Sequence, residues 1–178
     1  LNLVIAITGA MVFVNSVTII QGFFGLSENK LAIAMLFYGT GAMLSAIIVF
    51  KNSGSSNYKR TMLSGAFLTS LVCFGSMFIQ SYEILLLSWL CLGFLSSFIL
   101  VPIGQILREE TDLKERTAIF GAQFSLSHAC WLISYPSIGY MLVLGGLEIS
   151  FLVIAVVVLV ATSIAWYLWS SSAFNLLS

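Results

Sequence analysis

The stretch Ile149-Ser-Phe-Leu-Val-Ile-Ala-Val-Val-Val-Leu-Val-Ala-Thr-Ser-Ile-Ala-Trp-Tyr-Leu-Trp169 contains no Asp, Glu, Lys or Arg. At ~1.5 Å per residue in a helix, roughly 20 such residues reach across the ~30 Å hydrocarbon core of a bilayer. Working back from it, five more charge-free apolar runs follow one another: Thr117 to Leu144, Ile84 to Leu107, Met62 to Gln80, Leu31 to Phe50 and Leu3 to Phe24. The 178 residues are 60% hydrophobic and 8% charged, and seven Lys and Arg balance seven Asp and Glu. A soluble domain carries about a quarter of its residues as charges to solvate its surface. Water-soluble folds are excluded, and without a basic face nucleic-acid binding is excluded as well.

Lipid offers the backbone no hydrogen bonds, so each run must satisfy itself as a helix; strand-like alternation is absent. The expected fold is all-α and integral to the membrane, a single bundle over residues 1–178 with six spans at about 3–24, 31–50, 62–80, 84–107, 117–144 and 149–169. The connections alternate tight and long. Gly145-Gly146 suits a helix C-terminus, where a positive φ is cheap for glycine. Lys51 to Arg60 is a Ser- and Asn-rich linker. In the loop 108–116, Asp112 followed by Glu115 has capping-box spacing, which puts the start of the fifth helix near Leu113.

Six of the seven Lys and Arg fall in the loops 51–60 and 108–116. By the positive-inside rule both loops, and both termini, are cytoplasmic. Trp166, Tyr167 and Trp169 at the cytoplasmic end of the last span agree, because amphipathic rings favour the headgroup zone. The opening Leu1, directly followed by a span, reads as a piece of a longer polypeptide. Cys73, Cys91 and Cys130 lack metal-ligand spacing and read as small core residues, so neither metal nor cofactor is expected.

With no charge inside any span, uncharged polar residues and the single histidine carry the information. Counting along the helices puts Asn15 and His128 each about 16–18 Å from a helix end, near the midplane. Thr18 shares a face with Asn15; Ser96 and Ser97 lie at comparable depth; Gln105 lies nearer the cytoplasmic end, and span five carries Gln123 with His128. For Asn15 and Gln123, substrate contact competes with interhelical hydrogen bonding worth roughly 0.6–2 kcal/mol. His128 is either a neutral interhelical partner or a substrate ligand and proton carrier. Pro102 and Pro136 each remove a backbone donor and are expected to kink their helices, with a hinge as the functional reading. Polar first spans against greasy third spans in each triplet suggest a 3+3 inverted repeat.

The stretch Arg116-Thr-Ala-Ile-Phe-Gly-Ala-Gln-Phe-Ser-Leu-Ser-His-Ala-Cys-Trp-Leu-Ile-Ser-Tyr-Pro136, preceded by Pro102-Ile-Gly-Gln-Ile-Leu-Arg108, resembles the tenth and eleventh helices of bacterial major facilitator superfamily permeases. Asn15 to Ser27 and Leu31 to Phe50 are similar to their seventh and eighth. The resemblance covers the whole chain and implies the C-terminal six-helix half of a twelve-helix transporter in the cell inner membrane. It further implies alternating-access transport of a small molecule, in the efflux direction, with the N-terminal half and the lipid bilayer as partners. On that resemblance Asn15, Thr18, Ser96, Ser97, Gln123 and His128 meet substrate, and His128 is the group available for proton coupling. The family's charged loop motif is at best vestigial in Lys51 to Arg60, and its intramembrane acids have no counterpart. Two other classes compete: a self-contained six-span scaffold, and a serine protease of the membrane, for which Gly93-Phe-Leu-Ser96-Ser97 lacks the glycine after serine. No enzyme activity is expected.

Overall fold

The structure, a computed structural model, describes residues 1–51 and 58–170, so most of the expected linker at 51–60 lies outside the described residues. Every regular element among them is helical. α1 (Asn2–Val17) continues into a π-helical turn (Thr18–Phe23), followed by α2 (Glu28–Lys51), α3 (Tyr58–Ser76), α4 (Tyr82–Glu109) and α5 (Arg116–Ser170). Asn2–Phe23, Glu28–Lys51, Tyr82–Glu109 and Arg116–Ser170 are long and apolar enough to cross a membrane. The third expected span shifts: its helix is Tyr58–Ser76 rather than 62–80, begins with Lys59 and Arg60, and does not by itself meet that length and composition. It unwinds after Ser76 into a turn in which Met77, Phe78 and Ile79 each donate to the carbonyl three residues back.

α5 has 55 residues, which as one rod would extend ~80 Å, far more than a bilayer. It is two helical arms meeting at Gly146, whose φ of 71° is a conformation only glycine adopts cheaply. Near this break the end of the π-helical turn (Phe23) and the residues after α3 (Met77, Ile79) gather around 145–149. The leading arm, 116–145, runs parallel to α1: Gln123 meets Asn2, Trp131 meets Gly9, and Ile138 meets Asn15. The trailing arm, 147–170, returns antiparallel to α3, bringing Trp166 and Trp169 beside Lys59 and Arg60. The leading arm starts at Arg116 and not near Leu113. Asp112 contributes its backbone carbonyl, which accepts from the amides of Glu115 (3.1 Å) and Arg116 (3.0 Å). The Arg116 guanidinium turns back to the carbonyls of Arg108 (2.7 Å) and Thr111 (3.3 Å), occupying acceptors that the end of α4 leaves open.

α2 and α4 also run parallel and are the closest pair. The Tyr82 hydroxyl donates to the Lys30 carbonyl (2.6 Å) while the Lys30 ammonium lies 5.1 Å from the Tyr82 ring centroid. Halfway along, backbone touches backbone: a Cβ on Gly41 would sit 2.0 Å from the Leu90 carbonyl oxygen, and one on Gly93 would sit 2.0 Å from that of Tyr38. Small residues allow this approach, which supplies the van der Waals contact that holds helices together in lipid. α4 and α5 continue through Pro102 and Pro136; the departure from helical φ and ψ in α5 comes at Gly146 instead. One missing donor per proline leaves the rest of the ladder to hold the helix.

The core is centred on Trp89 of α4, which is fully buried, donates from Nε1 to Ser16 Oγ (2.8 Å) and packs edge-on against Phe151 at 6.2 Å. The Asp, Glu, Lys and Arg side chains of the described residues sit at helix ends and connections, leaving His128 as the one basic group at mid-helix. Outward faces are apolar: Leu36, Met43 and Ile47 on α2, Leu71 and Phe74 on α3, and Leu132, Ile133 and Val143 on α5 are all exposed. Water does not tolerate apolar surface on that scale, whereas lipid or a partner bundle covers it.

Candidate functional site

The six sequence-selected residues do not form one constellation. Asn15 is turned inward: it is 2% exposed, and its Nδ2 donates to the Ile138 carbonyl (3.2 Å) and approaches Met11 Sδ (3.2 Å). Gln123 Nε2 donates to Asn2 Oδ1 (2.9 Å). Both therefore fasten α1 to the leading arm of α5, one near its start and one at mid-height. Ser97 is buried on α4. Thr18 opens the π-helical turn and lines, with Gly22, Phe23, Leu142 and Leu147, a groove of about 290 Å³ near the Gly146 break. His128 is exposed; its ring stacks on Phe124 at 3.8 Å, and Nδ1 lies 2.9 Å from the Phe124 carbonyl.

Ser96 takes part in a different arrangement. Its Oγ donates to the Gly93 carbonyl (2.8 Å) and accepts from the Tyr38 hydroxyl (3.5 Å). The Tyr38 ring meets Phe13 of α1 edge-on at 5.3 Å, Phe13 lies 6.1 Å from Trp131 of α5, and Trp131 lies 5.1 Å from Tyr135. Three helices thus contribute rings to one aromatic cluster, and α4 joins it through Ser96. Phe13 is 49% and Tyr135 40% exposed, so the cluster presents ring faces outward while Trp131 packs over Gly9. Each residue stands ten or more positions from its helix start, about 15 Å or more along the axis.

Sequence reasoning missed Phe13, Tyr38 and Trp131 as a group, and a signal for them existed. Trp and Tyr of spanning helices favour the membrane–water interfaces. A Tyr or Trp near mid-helix departs from that habit and needs a reason. Trp89 has one in its bond to Ser16; Tyr38 and Trp131 have theirs in this cluster.

Chemically, the face offers aromatic surface, a phenolic hydroxyl and a serine hydroxyl. It contains no nucleophile paired with a base: Ser96 is bonded to Gly93 and Tyr38, and the His128 Nδ1 is bonded to Phe124. Among the described residues no group of His, Cys, Asp and Glu is placed to hold a metal ion.

Comparison with curated proteins and with solved structures finds no match. The family model of the Major Facilitator Superfamily matches residues 1–175, nearly the full length over which these helices, the paired parallel contacts and the aromatic face are laid out. This chain is a multi-pass membrane protein that belongs to the Major Facilitator Superfamily, a family of membrane transporters.

Proposed function

We propose that the chain is the C-terminal six-helix half of a bacterial secondary transporter that exports a small molecule across the inner membrane by alternating access. The observation that carries this reading is the aromatic cluster of Phe13, Tyr38, Trp131 and Tyr135, joined to Ser96 at mid-height and open to one side. A partner bundle set against that side encloses a site of aromatic rings and hydroxyls without fixed charge, suited to an apolar or amphipathic aromatic substrate. His128, exposed on the same arm as Trp131, is the proton carrier in this scheme, and Asn15 and Gln123 serve as interhelical ties.

The 3+3 inverted repeat is supported by an exchange in the contacts. The second helix of the first triplet, α2, lies parallel to the first helix of the second, α4; the leading arm of α5 lies parallel to α1 in the same way. Six spans follow when α3 and the two arms of α5 are each counted once. A bundle of this kind moves against a second bundle about a shared site. The purified chain reconstituted alone into liposomes is therefore expected to show no saturable uptake of amphipathic dyes, while the complete transporter shows it. Saturable uptake by the isolated chain would refute the half-transporter reading.

Both termini and the loops 51–60 and 108–116 face the cytoplasm in this proposal, from the six-to-one distribution of Lys and Arg. Leu113 is 80% exposed in the 108–116 loop, and Asn29 is exposed in the first turn of α2. In intact cells a membrane-impermeant maleimide should label Asn29→Cys and leave Leu113→Cys unmodified until the membrane is opened. The reverse pattern would invert the orientation.

A further inference from the structure

Glycine weakens a helix interior relative to alanine, so a glycine that neither ends nor bends its helix needs a reason in the space that its missing side chain leaves. Gly9 is buried in the interior of α1. A Cβ there would overlap Cη2 of Trp131 and stand 2.9 Å from Cζ3 and 3.1 Å from Cζ2. These three atoms are the outer edge of the indole's six-membered ring, so the place of one methyl group on α1 is taken by the far end of a side chain from α5. The other tight glycines are of a different kind. Gly41 and Gly93 admit backbone atoms of a neighbouring helix, and Gly65 faces the Phe98 Cβ at 2.9 Å; none of those atoms can swing aside. The Trp131 ring turns on two side-chain bonds and is only partly buried. Phe13 stands one helical turn on from Gly9, on the same face of α1, and lies 6.1 Å from Trp131 on the cluster's open side, with Tyr135 at 5.1 Å. A ring displaced from Gly9 moves away from α1 into the space beside them.

We propose that Gly9 is a positioning residue for Trp131 and thereby sets the width of aromatic substrate that the site admits. With no side chain at position 9 the indole lies recessed against α1, and the space left beside Phe13 and Tyr135 accepts a fused, multi-ring aromatic compound in preference to a single ring. A methyl group at position 9 brings the indole forward and narrows that space, while the helices themselves keep their spacing because a side chain, not a backbone, gives way. The inference deepens the substrate reading of the aromatic cluster and rests on it.

The test compares aminopyridine, aminoquinoline and aminoacridine, monocations of equal charge and rising ring count, as substrates of the complete transporter. The wild type should show its lowest KM for aminoacridine. Gly9→Ala should raise that KM roughly 10- to 200-fold, the range that a misfit of one methyl-sized group produces in an apolar pocket, and leave the KM for aminopyridine and both kcat values within about twofold. In the Trp131→Phe background, where the ring ends short of position 9, adding Gly9→Ala should no longer alter any KM, as expected when one residue acts only through another. Trp131→Phe alone leaves the recess empty and should shift the preference further toward aminoacridine, which keeps the proposal testable if Gly9→Ala fails to fold. Labelling with fluorotryptophan reads the ring itself: the fluorine resonance that disappears in Trp131→Phe belongs to Trp131, and Gly9→Ala should move it. An unmoved resonance in folded Gly9→Ala overturns the proposal and leaves the substrate reading of the cluster standing. A moved resonance with every KM unchanged takes the cluster off the substrate path, and the proposal falls with that reading. A wild type that handles aminoacridine no better than aminopyridine overturns it as well. So does an equal rise in KM for all three compounds, or a rise that persists in the Trp131→Phe background, since either marks a general loss of packing.

Discussion

Gly41→Ala is expected to prevent the bundle from assembling. The added methyl would lie 2.0 Å from the Leu90 carbonyl oxygen and 2.9 Å from the Phe94 amide nitrogen, both backbone atoms of α4. A side chain in the way can rotate, but a helix backbone can yield only if the whole helix moves. Separating α2 from α4 would also strain the bond from Tyr38 to Ser96 and the bond from Tyr82 to Lys30. Overpacking a filled core typically costs about 1–3 kcal/mol, and a contact between two backbones belongs at or above the top of that range. Gly93→Ala, whose methyl would meet the Tyr38 carbonyl oxygen at 2.0 Å, should behave alike. Gly39→Ala and Gly75→Ala meet nothing within 4 Å and serve as controls. The measurement is the monodisperse fraction after detergent extraction together with the midpoint of thermal unfolding. Equal behaviour of Gly41→Ala and Gly39→Ala would show that α2 and α4 are not in this close contact.

The second large effect is expected at the aromatic cluster. Trp131→Ala removes a ring that covers Gly9 and touches Phe13 and Tyr135, leaving a cavity in the contact between α1 and α5. Truncating a large aromatic costs about 3–5 kcal/mol in a well-packed core, and somewhat less at a partly buried site such as this. On the proposed function, transport falls by two orders of magnitude or more in the complete transporter. Trp131→Phe, which keeps ring surface, should recover most of it. Tyr38→Phe separates packing from recognition: the ring contact with Phe13 survives, the hydroxyl at Ser96 is lost, and the expected result is a raised KM at little cost in thermal stability. His128→Gln keeps a hydrogen-bonding group but cannot carry a proton, so transport by this variant should lose its pH dependence. Full transport by Trp131→Ala at wild-type protein levels would remove the cluster from the substrate path. Unaltered pH dependence in His128→Gln would remove His128 from coupling.

Much of the architecture was legible before any coordinates, because charge and glycine mark the places where a helix in lipid stops. Glu28, Lys51, Glu109 and Arg116 stand at helix ends where the gaps between apolar runs place them, and the positive φ falls at Gly146. What the residues could not yield was azimuth. Counting positions gives the height of Asn15 along α1 but not the direction of its amide, which depends on where α5 packs. The amide points into that contact. His128 differs for the same reason: it lies on an outward face, and the register of the two helices sets it level with the stretch of α1 between Asn2 and Gly9 rather than with Asn15. The π-helical turn at Thr18–Phe23 was not anticipated, since a single extra residue in a turn carries no fixed sequence signature. The aromatic cluster was missed because its members come from three helices and are spread over more than a hundred positions of chain.

The placement of every Asp, Glu, Lys and Arg of the described residues at a helix end or in a connection has an electrical consequence. Carrying one elementary charge through a membrane potential of 100 mV takes about 2.3 kcal/mol. A bundle whose fixed charges remain in the two aqueous margins, and whose interior bears none, does almost no work against that field when it tilts. On the proposed function, the voltage would then act on a proton carried through His128 or on a charged cargo. A current measured across a membrane containing the transporter would then count translocated ions and protons, with negligible gating charge from these helices.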